Sequence, residues 1–279
     1  MSIQFSINLF IDLQQIFQYQ FMQHAFEVGT IVAVVAGIIG YFVVLRRSSF
    51  AAHALSEIGF AGAAGAVLLD INPVFGLLGF TAVSGAGIAV LGKRASHRDV
   101  EIGSVLAFAL GLGILFISLY TGYATEAYSI LFGEILGISN NDVIITLVVS
   151  LIILAGTAFI YRPLLFASLD EEVAEAKGIR TVPIGIIFMI LMAATVSIAI
   201  QVVGVLLIFA LMVTPAATAT RLAKTPIYAI IFSVLIALFA TWLGLFISFY
   251  EPYPVSFFVT AIVFISYLFV RFVRPISSL

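Results

Sequence analysis

Apolar stretches long enough to cross a lipid bilayer make up most of this chain, and its basic residues fall between them in five small groups. Of the 279 residues, 63% are hydrophobic and only 9% are charged. Soluble domains are closer to about half apolar and about a quarter charged. The sequence therefore rules out a soluble globular fold and predicts an all-α polytopic membrane protein, because apolar runs of this length are typical of membrane-spanning helices.

The positions of the basic groups predict how many helices cross the membrane and in which direction. At roughly 20 residues per crossing, the chain has room for about eight to ten helices, and we predict about nine. The predicted spans cover residues 25–45, 50–69, 73–92, 102–121, 142–161, 183–200, 203–220, 227–248 and 255–272. The basic groups are Arg46 and Arg47; Lys93, Arg94 and Arg98; Arg162, Lys177 and Arg180; Arg221 and Lys224; and Arg271 and Arg274. With the N-terminus outside and the C-terminus in the cytoplasm, all twelve Lys and Arg residues lie on the cytoplasmic side, as the positive-inside rule requires.

The remaining segments complete a single transmembrane domain over residues 1–279. Residues 1–23 interleave apolar positions with glutamines, which predicts an amphipathic segment at the membrane surface rather than a signal peptide. Residues 124–139 are too short to cross and too apolar to be solvated, which favours a short helix on the outer side. Only residues 201–204 separate the sixth and seventh spans, so the sequence leaves open whether these two spans are separate.

His53 and Glu57 are the most informative polar residues, because they lie in the second span among small and apolar neighbours. Their spacing places the imidazole and the carboxylate on one face of a helix. Both groups are ligands for divalent transition metals such as Zn²⁺, Mn²⁺ or Fe²⁺, and an unpaired charge at this depth costs about 2.5–3.5 kcal/mol. We interpret the pair as a metal site. The structural alternative is a hydrogen bond between the two side chains, or between a protonated Glu57 and a neighbouring helix.

The longest cytoplasmic loop contains a second candidate segment, residues 170–178. Asp170 is a favourable N-cap, Glu171 and Glu172 follow in the first turn, and Gly178 is a favourable helix stop. The pattern predicts a short charged helix that faces the cytoplasm. It is either a solvated connector or a docking element for a soluble partner.

The predicted outer side of the membrane is acidic. Its connections contain Asp70, Glu126, Asp142 and Glu251 and no basic residue, and a mouth of that charge favours cations by electrostatic steering. Glu134 is a candidate for the wall of an outer vestibule, with an exposed acid at the membrane surface as the alternative.

Several function classes are excluded by residues that the chain lacks. It has no cysteine, which excludes disulfides and thiolate metal sites, and its net charge of -2 gives no reason to expect nucleic acid. Residues 87–93 match the glycine-rich phosphate-binding pattern, but Arg94 replaces the Ser or Thr that holds Mg²⁺. No nucleophile–base arrangement is evident either, so we do not expect an enzyme. Either a partner chain supplies energy, or the chain is not an active transporter.

Short motifs in order along the chain resemble the permease subunits of zinc- and manganese-type ABC importers, the ABC-3 family. These motifs are Arg46-Arg47 with His53-x-x-x-Glu57, Gly62 and Asp70-Ile-Asn-Pro73; Ile102-Gly103; Leu131-Phe-Gly-Glu-Ile-Leu136; Asp170-x-Glu172-x-Ala174-x-x-x-Gly178; and Gln201-Val-Val-Gly204 with Leu211-Met-Val-Thr-Pro-Ala-Ala-Thr-Ala219. The similarity runs from about residue 24 to the C-terminus.

The resemblance implies a permease in the plasma (inner) membrane of a prokaryote, surrounded by lipid and built as a homodimer or pseudo-dimer. Its implied partners are a second permease copy, a cytoplasmic ATPase subunit and an extracytoplasmic metal-binding protein, with a transported divalent metal and no permanently bound cofactor. Members of the family usually carry Asp and then His in the second helix as metal-contacting residues, and here His53 and Glu57 keep one imidazole and one carboxylate in reversed order. The segment implied to couple the permease to the ATPase contains Asp170, Glu171, Glu172, Ala174, Glu175 and Gly178.

A gate hinge is a weaker candidate, at Gly204 and at Pro215 inside the seventh span. A proline within a helix frees a carbonyl and kinks the helix, although plain packing explains Pro215 as well.

Two other functions remain open from the sequence. An ABC permease for a metal chelate, such as haem, cobalamin or a siderophore, needs a wide apolar path, whereas a ligand pair inside the membrane suits a bare ion. A proton- or ion-coupled secondary transporter, or a channel, would use Glu57 as its ion site and would need no ATPase.

Overall fold

The computed structural model describes residues 9–91, 98–120, 137–251 and 253–273. Within these ranges the chain forms helices and no strand. The helices are α1 (Leu9–Ile16), α2 (Gln20–Leu45), α3 (Ser49–Leu68), α4 (Pro73–Leu91), α5 (Arg98–Leu119), α6 (Asn140–Leu169), α7 (Glu171–Ala176), α8 (Thr181–Val203), α9 (Val205–Leu222), α10 (Pro226–Tyr250) and α11 (Val255–Val273). The all-α fold expected from the sequence is confirmed.

Nine of these helices correspond to the nine predicted spans. Eight are long and apolar enough to cross a membrane, and α9 contains a shorter apolar stretch, Leu207–Leu222. Helix α2 begins at Gln20, five residues before the predicted first span, so residues 20–23 of the predicted surface segment already belong to this helix. In that preceding segment, α1 packs on the bundle through Ile16, which is fully buried beside Met22, Phe26 and Leu245.

The bundle has two ends of different charge. A pocket lined by Arg46, Ser48, Ile88, Glu171 and Thr181 brings together the end of α2, the beginnings of α3 and α8, the end of α4 and helix α7. We call this the basic end, because the connections that meet here carry Arg46, Arg47, Lys177, Arg180, Lys224 and the nearby Arg221 and Arg271. The opposite end, called the acidic end, carries Asp70, Asp142 and Glu251.

Helices α8 and α9 are separate and run in opposite directions, which resolves the division that the sequence left open. Ile200 near the end of α8 packs against Gly59 of α3, whereas Phe209 of α9 packs against His53, closer to the basic end of α3. The chain therefore turns back at Gly204, the single residue between the two helices. Gly204 has φ 77° and ψ 164°, a conformation that is essentially restricted to glycine.

The turn at Gly204 lies short of the acidic end of the neighbouring helices. Beyond Ile200 the chain has four more residues before it reverses, while α3 continues nine residues beyond Gly59 to Leu68. At 1.5 Å per residue the turn is recessed by about 7 Å relative to the end of α3.

Glycines of α3 and α5 have different surroundings. In α3, a Cβ on Gly62 would meet the carbonyl oxygen of Gly76 in α4, so the two backbones are in contact. In α5, no atom of the described residues lies within 4 Å of a Cβ built on Gly103 or Gly111. Gly62 therefore allows two helices to pack closely, as small residues do in membranes, whereas Gly103 and Gly111 make no such contact with the described part of the chain.

Candidate metal-binding site

His53 and Glu57 lie one turn apart on α3, and their side chains contact each other. The His53 Nε2 atom is 3.3 Å from the Glu57 Oε1 atom. Their side chains are 44% and 28% exposed. The sequence-based expectation that the two groups share one helix face is therefore met in the structure, and both can be reached from outside the chain.

The exposure of this pair is unusual for its helix. Most of α3 is buried against α4, α5, α8 and α9, and its contacting faces carry small residues. The open positions follow one narrow stripe, which we call the α3 stripe and which consists of Phe50, His53, Glu57 and Phe60. Phe50 at one end of the stripe is 42% exposed. The only ionisable residues of α3 thus lie on its one open face.

Two contacts hold His53 in place. Its ring lies 5.3 Å from the ring of Phe209, centroid to centroid, with an edge-to-face geometry of 61°. The hydroxyl of Ser56 donates a hydrogen bond to the His53 carbonyl oxygen at 2.6 Å. Phe209 belongs to α9, so the histidine ring is positioned by the helix that begins at the Gly204 turn.

The depth of the pair places it within the bilayer. His53 and Glu57 are the fifth and ninth residues of α3, which puts them about 6 and 12 Å along the axis from the start of the helix. Since the hydrocarbon core is about 30 Å thick, Glu57 lies near the middle. A charged side chain that faced lipid there would cost about 2.5–3.5 kcal/mol, so the α3 stripe needs a polar covering.

The described part of the chain provides too few ligands for a complete metal site. In residues 9–91, 98–120, 137–251 and 253–273, no group of three or more His, Cys, Asp or Glu side chains is arranged to hold a metal ion. Zinc sites use about four ligands and octahedral manganese sites about six. The pair can therefore hold a metal only with ligands from elsewhere.

Other ionisable residues are placed away from this pair. His24 is buried at the acidic end, where its Nδ1 atom lies 2.8 Å from the carbonyl oxygen of Ile138. The contact links α2 to the residues that precede α6, which gives His24 a structural role. Glu134 and most of the short helix expected at 124–139 lie outside the described residues, so their role stays a prediction.

The predicted helix in the 170–178 segment is present as α7. The Asp170 side chain accepts a hydrogen bond from the Val173 backbone N–H at 3.0 Å, which caps the helix as expected. Gly178 has φ 79°, the left-handed conformation of a helix stop. Ala174 is buried, whereas Glu171, Glu172 and Glu175 face outward.

Two contacts tie α7 to its neighbours. The Thr181 hydroxyl donates a hydrogen bond of 2.6 Å to the Glu175 Oε1 atom, which links α7 to the start of α8. The Lys177 Nζ atom lies 5.3 Å from the centroid of the Phe166 ring on α6, a cation–π contact. The segment is thus anchored at both sides, which a free solvated connector would not require.

Helix α6, which precedes this segment, is longer than one crossing of a bilayer requires. It has 30 residues, a length of about 45 Å, against a hydrocarbon core of about 30 Å. Its last turns expose Phe166 and Leu169, and the following helix exposes Val173. This apolar surface lies beside three exposed glutamates, a combination that suits a protein partner.

The remaining sequence candidate, Pro215, is buried inside α9, which continues as a helix on both sides of it. The role of Phe209 was not predicted from the sequence, because its contact with His53 joins residues that are far apart in the chain. The sequence feature that bears on its position is Gly204, because the helix that carries Phe209 begins directly after this residue.

Comparisons with known proteins agree with this architecture. Residues 18–274 match the family described as the ABC 3 transport family. The chain is 29% identical over 262 residues to the manganese transport system membrane protein MntC of Listeria monocytogenes, covering 92% of this chain and 93% of that protein. It is 26% identical over 235 residues to the high-affinity zinc uptake system membrane protein ZnuB of Haemophilus influenzae, covering 84% and 90%.

A solved structure is similar over almost the whole chain. PsaBC from Streptococcus pneumoniae, determined in complex with Fab, superposes with a TM-score of 0.85 at 29% identity, covering 96% of this chain and 97% of the matched chain. The fold is therefore shared from the first membrane helix to the last.

Proposed function

The chain belongs to the ABC 3 transport family as the membrane-spanning permease of an ABC importer, and we propose that its cargo, a divalent transition metal ion, binds at His53 and Glu57. The observation that carries this proposal is the α3 stripe, where an imidazole and a carboxylate are open on a helix that is otherwise buried and apolar. Nitrogen and oxygen ligands suit Mn²⁺, Zn²⁺ and Fe²⁺. The relatives named for manganese and for zinc support the same class of ion.

The site is proposed to form between two copies of the chain. A twofold axis beside the α3 stripe would place the same residues of both copies opposite each other, because such an interface is isologous. Two His53 and two Glu57 side chains then supply four ligands, which is enough for a tetrahedral site or for part of an octahedral one. The same arrangement removes both charged groups from lipid.

The ion is proposed to enter from the acidic end after release by an extracytoplasmic binding protein. Asp70 and Glu251 are exposed there, and their negative charge favours the approach of a cation. The orientation that follows from the positive-inside rule, with the N-terminus outside, places this end outside the cell. The predicted topology places Glu134 on this outer side as well.

ATP is proposed to act through α7. The exposed apolar residues and the glutamates at the overhanging end of α6 and on α7 form the docking surface for a cytoplasmic ATPase subunit. Closure of the ATPase pair would move these ends together and switch access to the metal from outside to inside. Gly204 and Pro215 are the proposed hinge positions for that change.

The test is metal uptake in proteoliposomes that contain the permease with its ATPase and binding protein. Parallel assays with Mn²⁺, Zn²⁺ and Fe²⁺ compare the wild type with Glu57→Gln, which keeps the size of the side chain but removes its charge. We expect ATP-dependent uptake of one of these ions and a loss of at least about tenfold in the variant, since even second-shell changes at metal sites cost about 10–100-fold. Asp99→Asn is the matched control and should keep normal uptake, because it also removes the charge of a carboxylate, and Asp99 is exposed at the basic end, outside both the stripe and α7.

Three results would contradict the proposal. Uptake without ATP through this chain alone would indicate a channel or secondary transporter. Uptake of a metal chelate but of no free ion would indicate the chelate class. Normal uptake in both His53→Ala and Glu57→Ala would show that the pair does not bind the cargo.

A further inference from the structure

Three parts of the molecule meet around one side chain at the basic end. Arg46 lies in the pocket that is also lined by Ala51 of α3, Glu171 of α7 and Thr181 of α8. The first of these helices carries the metal-binding pair, the second is the proposed ATPase contact, and the third connects to the Gly204 turn. Arg46 therefore lies in one pocket with residues of the elements that have to move together during transport.

Arg46 contacts α8 through its guanidinium group, which lies over an aromatic ring. The guanidinium carbon lies 5.6 Å from the centroid of the Phe188 ring, and that ring is 1% exposed. The guanidinium also packs beside Gly185, one turn earlier on α8: a Cβ there would be 3.6 Å from the Arg46 Nη2 atom, an ordinary van der Waals distance. A planar guanidinium can stack on a ring in this way, whereas a lysine ammonium cannot.

On one side, this contact continues to α7. The hydrogen bond from Thr181 to Glu175 joins α7 to the first residue of α8, and Gly185 and Phe188 follow one and two turns later on the same helix. A displacement of α7 therefore reaches Arg46 along the beginning of α8.

On the other side, the contact continues to the metal-binding pair. Arg46 is the C-cap residue of α2, and α3 begins three residues later at Ser49. The turn is tight, since the Ser48 backbone N–H donates to the Val43 carbonyl oxygen at 2.9 Å and Arg47 has φ 54°. His53 follows one turn into α3, so a shift of Arg46 moves the start of the helix that carries both ligands.

We propose that Arg46 is a positioning residue that transmits the movement of α7 to the His53–Glu57 pair by way of Phe188 on α8. The inference rests on the proposed function, because it assigns a route between the ATPase contact and the metal site of that transporter. It predicts that loss of the stacking separates ATP hydrolysis from transport without changing the affinity of the metal site.

The experiment uses the complete complex in proteoliposomes and measures ATP hydrolysed per metal ion transported. Arg46→Lys keeps the positive charge but loses the planar group, and Phe188→Leu removes the ring from the other side. We expect each variant to raise the ratio of ATP to metal by at least about fivefold, the lower range for coupling between sites. Metal affinity of the permease, measured without ATP, should stay at the wild-type value.

Arg47→Lys is the matched control, because Arg47 is the next residue, has the same charge and is exposed. It should keep the wild-type ratio. The double variant Arg46→Lys with Phe188→Leu should be no worse than either single variant, since both remove one contact.

A wild-type ratio in Phe188→Leu, or additive effects in the double variant, would overturn the inference. Phe188→Leu also covers the case in which Arg46→Lys fails to assemble. A variant that loses metal affinity as its ratio of ATP to metal rises would overturn the inference as well, because Arg46 would then act on the metal site itself. Absence of ATP-driven uptake in the wild type would instead overturn the proposed function, and this inference with it.

Discussion

At the scale of single residues, the structure separates glycines that permit helix contact from glycines that do not. Gly62 on α3 lies against the backbone of Gly76, and a Cβ at this position would also be 2.6 Å from the Phe80 Cβ atom. Backbone cannot move aside as a flexible side chain can. The close approach of α3 and α4 therefore depends on the absence of a side chain at Gly62.

We expect Gly62→Ala to destabilise the protein by about 1–3 kcal/mol or more, the usual cost of overpacking. The measurement is thermal unfolding of the purified permease in detergent. Gly103→Ala is the control, since the added methyl group meets nothing within 4 Å. It should be neutral or stabilising by up to about 1 kcal/mol, because alanine favours a helix over glycine. Equal losses in both variants would contradict this account.

The residues of the candidate site were predictable from the sequence only in part. The spacing of His53 and Glu57 was enough to predict a shared face, because helical geometry is local. The exposure of that face and the contact with Phe209 depend on how distant helices pack. Neither could be read from a sequence in which apolar residues surround every candidate position.

At the scale of elements, the turn at Gly204 determines where two helices run. It reverses the chain with one residue between helices, and its φ of 77° and ψ of 164° exclude ordinary side chains. Phe209, and therefore the environment of His53, depends on this turn.

We expect Gly204→Ala to lower the melting temperature and to reduce metal uptake together, because strain in this backbone region costs about 1–3 kcal/mol. Gly111→Ala is the matched control in a regular and open helical position. Thermal unfolding and uptake are measured on the same preparations. A Gly204→Ala variant with wild-type stability would show that the turn can adopt another conformation.

Some elements were predicted almost to the residue and others were not. Helix α7 has strong local signals, a capping aspartate and a stop glycine, and these signals are sufficient for a short exposed helix. The glutamines near the start of α2 predicted a surface segment, but the helix begins five residues before the predicted span. Polar side chains do not prevent a helix from continuing, so they do not mark its first residue.

At the scale of the whole molecule, the open α3 stripe predicts which face joins two copies. The chain has no cysteine, so Phe50→Cys introduces a single thiol at the end of the stripe. We expect short thiol cross-linkers to give a covalent dimer with this variant in membranes, since the same residue lies near the axis in both copies. Gel electrophoresis without reducing agent measures the product.

Phe159→Cys is the control for this experiment, because Phe159 is 89% exposed on the surface of α6, outside the stripe. It should remain monomeric. Cross-linking through residue 159 but not through residue 50 would indicate that two copies meet at α6. It would contradict the proposal that His53 and Glu57 of two copies form one metal site.

The separation of charge between the two ends makes the molecule a dipole along the membrane normal. None of the Lys and Arg side chains in the described ranges lies at the acidic end. Each cation near an anionic lipid surface contributes about 1 kcal/mol of attraction, and these contributions act on one end only. The basic end also carries acidic residues on α5 and around α7, but Lys and Arg outnumber them there. We therefore expect a leaflet that is richer in anionic lipid to favour the basic end, and the lipid asymmetry of a vesicle to bias the orientation of the reconstituted protein.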